Sequence, residues 1–144
     1  MFSKIASVLG AGVLAVGGMV LAASPATAAE TNPHCAQSTK IGDTGAIMSG
    51  GVQIGSVKQF KGCGKNWSYT YVWDGFRSSH SNFQVCVSVA SGRGPRFDLE
   101  DLSCFGNKKD NWSSGADTLT KCTHAVGTIS WGSNEKSGKT DIRC

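Results

Sequence analysis

The sequence predicts an all-β fold, a small antiparallel sandwich or barrel of about six or seven strands, stapled by disulfides. Three observations carry that prediction. Two segments alternate strictly, with Trp67, Tyr69, Tyr71 and Trp73 on one face of the first and Phe83, Val85, Val87 and Val89 on one face of the second. Ile and Val number twelve against three Leu in residues 29–144, the balance of a pleated, half-buried surface rather than of a helix bundle. Six cysteines, Cys35, Cys63, Cys86, Cys104, Cys122 and Cys144, form an even set with no Cys-x-x-Cys pair.

The chain opens with Lys4, then an apolar run over residues 5–23 broken only by Ser7. Pro25 and the small residues Ala26-Thr27-Ala28 complete the pattern of a cleaved secretory signal peptide spanning 1–28. Removal leaves 116 residues, room for one domain at 29–144 and not for two. Leu, Ile, Val and Phe supply only 20 of those 116, a thin core that needs covalent help. The expected protein is secreted and extracellular, a monomer without a stable membrane anchor after cleavage. An oxidising compartment makes three disulfides the default, and six cysteines permit fifteen pairings. Net charge is +4 over the full chain, too small and too scattered to argue for a nucleic-acid partner. The composition also excludes a membrane protein, a coiled coil and a multidomain enzyme.

Along the mature chain, residues 29–39 read as a polar arm tied down at Cys35. Val52 and Ile54 alternate, Gly55-Ser56 suggests a bulge, and residues 57–60 continue the strand. Residues 61–66 form a turn by composition. The aromatic strand follows, closed by Asp74-Gly75, and residues 77–82 form a polar loop. After the second alternation, residues 91–95 are a turn leading to a short alternating stretch at 96–100. Residues 106–115 read as a hydrophilic loop around Trp112. Residues 118–131 favour strand, with Asp117 as the cap of an alternative short helix, and 132–138 read as a hairpin loop returning through 140–144. Asn66-Trp67-Ser68 and Asn111-Trp112-Ser113 echo each other, a match that a duplicated pair of sheets would produce. Both are also glycosylation sequons.

The aromatic row is the most unusual feature. Alternate residues of a strand repeat about every 6.6–6.8 Å, so an exposed row would stack on sugar rings or peptide. The same rings would otherwise serve as core, with Trp67 or Trp73 left exposed at the strand ends. The candidate ligand-binding residues are Trp67, Tyr69, Tyr71, Trp73, Arg77, His80 and Trp112. No catalytic residue, metal site or cofactor is assigned: the chain lacks Gly-x-Ser-x-Gly, His-Glu-x-x-His and a phosphate loop. Asp98, Glu100 and Asp101 read as surface ion-pair partners. Residues 110–114 resemble the calcium loop of βγ-crystallins, with Gly115 where the last serine of that pattern belongs.

The Ala/Gly-rich leader ending in Pro25-Ala26-Thr27-Ala28 and the six-cysteine domain resemble small secreted proteins of actinomycete-type bacteria. Gly55-Ser56-Val57-Lys58-Gln59-Phe60, Cys63 and Asn66-Trp67 are similar to a pattern in such families. The resemblance implies an exported origin and no activity. The expected function is a non-enzymatic binding or interaction domain with an extracellular protein or polysaccharide as partner. The alternatives are a small ribonuclease-like hydrolase using His80 and His124, and a proteinase inhibitor presenting the loop at 91–96.

Overall fold

The computed structural model describes residues 30–144; the leader expected at 1–28 lies outside the described residues. Nine strands and one helical turn occur among the described residues. They are β1 (Thr39–Ser49), β2 (Val52–Gly62), β3 (Lys65–Val72), α1 (Asp74–Arg77), β4 (Gln84–Arg93), β5 (Arg96–Leu99), β6 (Ser103–Gly106), β7 (Asp110–Trp112), β8 (Cys122–Trp131) and β9 (Asn134–Lys139). Strands β5, β6 and β7 have only three or four residues, and the other six form the body. One sheet runs β1-β2-β3-β7 and the other β5-β4-β8-β9, with β6 sharing an edge of β4 with β5. All pairs are antiparallel, and the sheets face each other as a half-barrel. The fold is all-β, as the alternation predicts.

The alternation of β4 points its apolar face into the space between the sheets, whereas β3 turns Ser68, Thr70 and Val72 inward and carries its aromatic row on the outer face. Val85, Val87 and Val89 of β4 are buried and pair with Ile129, Gly127 and Ala125 of β8. Across from them lie Val57 of β2 and Val72 of β3, and Ile47, Ile54, Phe76 and Phe83 complete an apolar core at the α1 end. The rest of the interior is polar. Gln59 Nε2 donates to Thr123 Oγ1 at 2.7 Å and Ser68 Oγ donates to the Val126 carbonyl at 3.1 Å. These bonds join the sheets where aliphatic residues are lacking, because a buried polar group left unpaired costs about 1–3 kcal/mol. The sheets approach closely at Gly127, where a Cβ would stand 2.1 Å from Thr70 Oγ1. At the side of the half-barrel, a Cβ on Gly45 would stand 2.2 Å from the Lys139 carbonyl oxygen, so β1 and β9 meet at backbone contact.

Several local expectations need correction. The bulge expected at Gly55-Ser56 lies one residue earlier: against β1, Ile47 pairs with Gly55 and Met48 with Gln53, so Ile54 is the extra residue of β2, while from Gly55 onward the register with β3 runs unbroken to Gly62–Lys65. A second irregularity lies in β1, where the four-residue step from Ile41 to Gly45 faces only two residues of β2, Gln59 to Val57. The segment 132–138 is not a loop but a two-residue turn, Gly132-Ser133, followed by β9. Its polar composition is that of an edge strand, where charge discourages further pairing. The hydrophilic segment 106–115 contains β7, held because Asn111 Nδ2 donates to the carbonyls of Val85 at 3.2 Å and Ser103 at 2.9 Å. No helix starts at Asp117; Lys121 N–H bonds the Thr118 carbonyl in a turn, and the strand starts at Cys122. The two Asn-Trp-Ser copies mark no duplication of sheets. They lie in and beside neighbouring strands β3 and β7, where the Ser113 N–H donates to the Ser68 carbonyl and the Ser68 N–H to Ser113 Oγ.

The cysteines pair in chain order, Cys35–Cys63, Cys86–Cys104 and Cys122–Cys144. The first ties the N-terminal arm to the β2–β3 turn, the second links directly opposed residues of β4 and β6, and the third ties the last residue to the start of β8. Three disulfides are consistent with an extracellular protein.

Candidate functional site

The aromatic row divides into a buried half and an open half. Trp67 is 3 % exposed and Tyr69 4 %, packed with Phe60 and Cys35. The arm covers them: His34 stacks on Trp67 with ring centres 5.9 Å apart, and Glu30 pairs with Lys58. The Tyr69 hydroxyl reaches Asp110 Oδ2 at 3.3 Å, and burial, then the Asp110 charge, holds its pKa well above the ordinary phenol range. Trp112 is half-buried, 4.7 Å from the Tyr69 ring. These three residues of the predicted set are therefore packing residues of the outer face of the first sheet.

The open half is organised by α1. Trp73 leaves β3 in an extended conformation, and its carbonyl accepts the N–H groups of Phe76 and Arg77, turning the chain sharply. That turn gathers Tyr71, Trp73, Arg77 and His80. Tyr71 donates its hydroxyl to Asp74 Oδ1 at 2.9 Å, Arg77 pairs with the same carboxylate, and the guanidinium lies 5.9 Å from the Tyr71 ring centre. The hydrogen bond from Tyr71, then the Arg77 charge, holds Asp74 below the usual carboxylate range. Trp73 is 45 % exposed, and its indole N–H donates to Ser56 Oγ at 2.9 Å. The ring is thus fixed at its polar edge while its face meets water.

Beside it lies a groove of about 280 Å³, lined by the β1–β2 turn (Ser49, Val52, Gln53, Ile54), by Gly75, Phe76, Ser79 and His80, and by Trp131 at the end of β8. His80 stacks on Phe76 with ring centres 4.0 Å apart and meets the edge of Trp131 at 5.6 Å. Its Nδ1 lies 3.0 Å from the Phe76 carbonyl oxygen and 3.0 Å from Ser79 Oγ, so that nitrogen is engaged within the turn and Nε2 is left outside these bonds. Val52, Gln53, Phe76 and Trp131 do not stand out in the sequence. Only the aromatic identity of Phe76 and Trp131 hints at a role, because the groove unites segments far apart in the chain.

The other expectations fall elsewhere. His124 is buried on β8, against Phe97 at 4.6 Å, and its Nδ1 has no hydrogen-bond partner. It stands seven residues along β8 from Trp131, which touches His80, a run of about 23 Å of extended strand. The two histidines are not brought together as an acid–base pair. The segment 91–96 is the end of the β4–β5 hairpin, its Arg93 and Arg96 paired across Gly94-Pro95, so it offers no free extended strand. A larger open cleft of about 510 Å³ adjoins it, lined by Arg93, Phe97, Lys121 and Ile142. Lys121 is already paired there with Glu100 at 3.1 Å, and Phe97 is its one aromatic ring. Asp101 is no surface ion-pair partner: it is buried and accepts the N–H groups of Val89 at 2.6 Å and Gly115 at 2.9 Å. The resemblance of 110–114 to a calcium loop does not extend to structure, since Asn111 and Ser113 spend their side chains on neighbouring strands. Among the described residues no group of three or more His, Cys, Asp or Glu is placed to hold a metal ion. Both sequon asparagines, Asn66 and Asn111, are buried and hydrogen-bonded. No family model, curated protein or solved structure matches the chain.

Proposed function

We propose that the chain is an exported, non-enzymatic binding domain whose working surface is the groove at the α1 end with the adjoining Trp73 face. The carrying observation is the convergence of Phe76, His80 and Trp131 around a concave groove, with the half-exposed Trp73 anchored nearby by its indole bond to Ser56 Oγ. Small ligand sites are typically concave and mostly apolar, with a few fixed polar groups. The leader, the three disulfides and the resemblance to actinomycete-type exported proteins support export. The partner is an extracellular protein or polysaccharide.

The test is retention of the mature chain on insoluble cell-wall and chitin matrices and on surface-protein extracts. Gly75→Trp obstructs the groove without disturbing packing, since a Cβ there meets nothing within 4 Å. Wild-type retention lost in Gly75→Trp, and kept in Lys136→Trp on the exposed β9 edge, is the expected result. Equal retention of all three proteins overturns the assignment.

A further inference from the structure

Resting on that reading of the groove, the geometry points to its ligand class: an uncharged, hydroxyl-rich saccharide, with one ring seated in the groove and the next against Trp73. Among the described residues no Asp, Glu, Lys or Arg lines the groove, so neither an anionic nor a cationic ligand finds a fixed counter-charge within it. The fixed polar groups are chiefly acceptors. In the tautomer with Nδ1–H donating to the Phe76 carbonyl, Nε2 of the neutral His80 ring is left to accept. Gln53 spends its Nε2 on the Gly55 carbonyl at 3.2 Å and on Ser56 Oγ at 3.1 Å, leaving Oε1 to accept. Ser79 Oγ lies 3.0 Å from the Phe76 carbonyl and 3.2 Å from that of Gly75, so its single proton is also spent.

A ligand that satisfies this set must bring its own donors, and it must carry an apolar face for Phe76, Trp131 and Val52. A sugar ring does both: its hydroxyls donate and its C–H face packs on aromatic surface. A peptide backbone offers one N–H per residue and an acceptor beside it, a poorer match. The second subsite follows from Ser56. Its Oγ takes the indole N–H of Trp73 and a carboxamide N–H of Gln53, so Trp73 is locked beside the residue that lines the groove. A chain of at least two linked rings is therefore the fitting occupant.

Titration of the mature protein with cellohexaose and with N-acetylchitohexaose, followed by the indole N–H signals of Trp73 and Trp131, tests this. Heparin and a proline-rich peptide serve as the charged and peptidic comparators. The expected result is a saturable shift with a neutral hexasaccharide, displacement of the protein from its matrix by that sugar, and neither effect from the comparators. Gly75→Trp should abolish the shift. Val52→Trp, at a position 64 % exposed, repeats the obstruction independently. Trp73→Ala should weaken binding by about tenfold, the scale of one lost stacked ring. Absence of a shift with both hexasaccharides, or displacement by heparin or the peptide instead, overturns the saccharide assignment. If Gly75→Trp also fails to release the protein from its matrix, the groove itself is overturned; if it does release it, only the ligand class is wrong.

Discussion

Two tryptophans from one alternating row end in opposite environments, and single substitutions separate them. Trp67 is enclosed by Phe60, Tyr69 and the arm and donates its indole N–H to the Gly62 carbonyl at 3.0 Å. Trp67→Ala should cost about 3–5 kcal/mol by leaving a cavity that the disulfide-braced sheet cannot collapse. Trp73 is 45 % exposed, so Trp73→Ala loses one hydrogen bond and about half the burial of Trp67 and should cost clearly less, about 2 kcal/mol. Urea unfolding of the two variants checks both values. His124 makes a second residue-scale prediction. Burial, and then the charge of Lys139, hold its pKa below the ordinary 6.5. The unfolded chain therefore binds a proton that the folded chain refuses as pH falls below 6.5. That contribution to stability is full above pH 6.5, declines below it, and levels off once the folded pKa is passed. In His124→Gln the fall of stability below pH 6.5, followed by urea midpoints, should be shallower than in the parent.

At the scale of elements, Asp101 replaces a stretch of backbone. Strands β5 and β6 both pair with β4, and between them one carboxylate oxygen takes the Val89 N–H while the other takes the Gly115 N–H beyond β7. Asp101→Asn supplies only one acceptor and turns a donor toward the other N–H. It should cost about 1–3 kcal/mol, with hydrogen exchange accelerated at Val89 or Gly115 as the local signature. Such a role is invisible in sequence, where Asp98, Glu100 and Asp101 read alike. Strand β4 is legible because it buries an apolar face of period two, and β3 because its rings keep the same period, although the face it buries fully is the one with Ser68, Thr70 and Val72. Strand β1 is not: Ile41, Ile47 and Met48 keep no period among its glycines, and it is a strand because β2 pairs with it along its length. The short β7 is likewise made by tertiary bonds from Asn111 rather than by propensity.

Taken whole, the molecule compensates for a thin aliphatic core with polar bonds between its sheets and three covalent ties. Intact mass should show six hydrogens missing, and proteolysis without reduction should release fragments linked only as Cys35–Cys63, Cys86–Cys104 and Cys122–Cys144. Reductant should lower the unfolding midpoint sharply, since closing loops of 28, 18 and 22 residues stabilises by about 3 kcal/mol each in the chain-entropy account. The number of ties is legible from an even cysteine count. Their order is not, because it depends on which strands become neighbours. The same holds for the groove: Trp73, Arg77 and His80 stand out locally, whereas Gln53 and Trp131 join them only through the fold. The order of the ties also bears on how the protein is made. Were the chain exported as proposed, N-terminus first, its thiols would arrive one after another, and the native mate of each odd-numbered thiol would be the next to emerge. On that proposal, a simple oxidant acting in order of arrival would yield the native set.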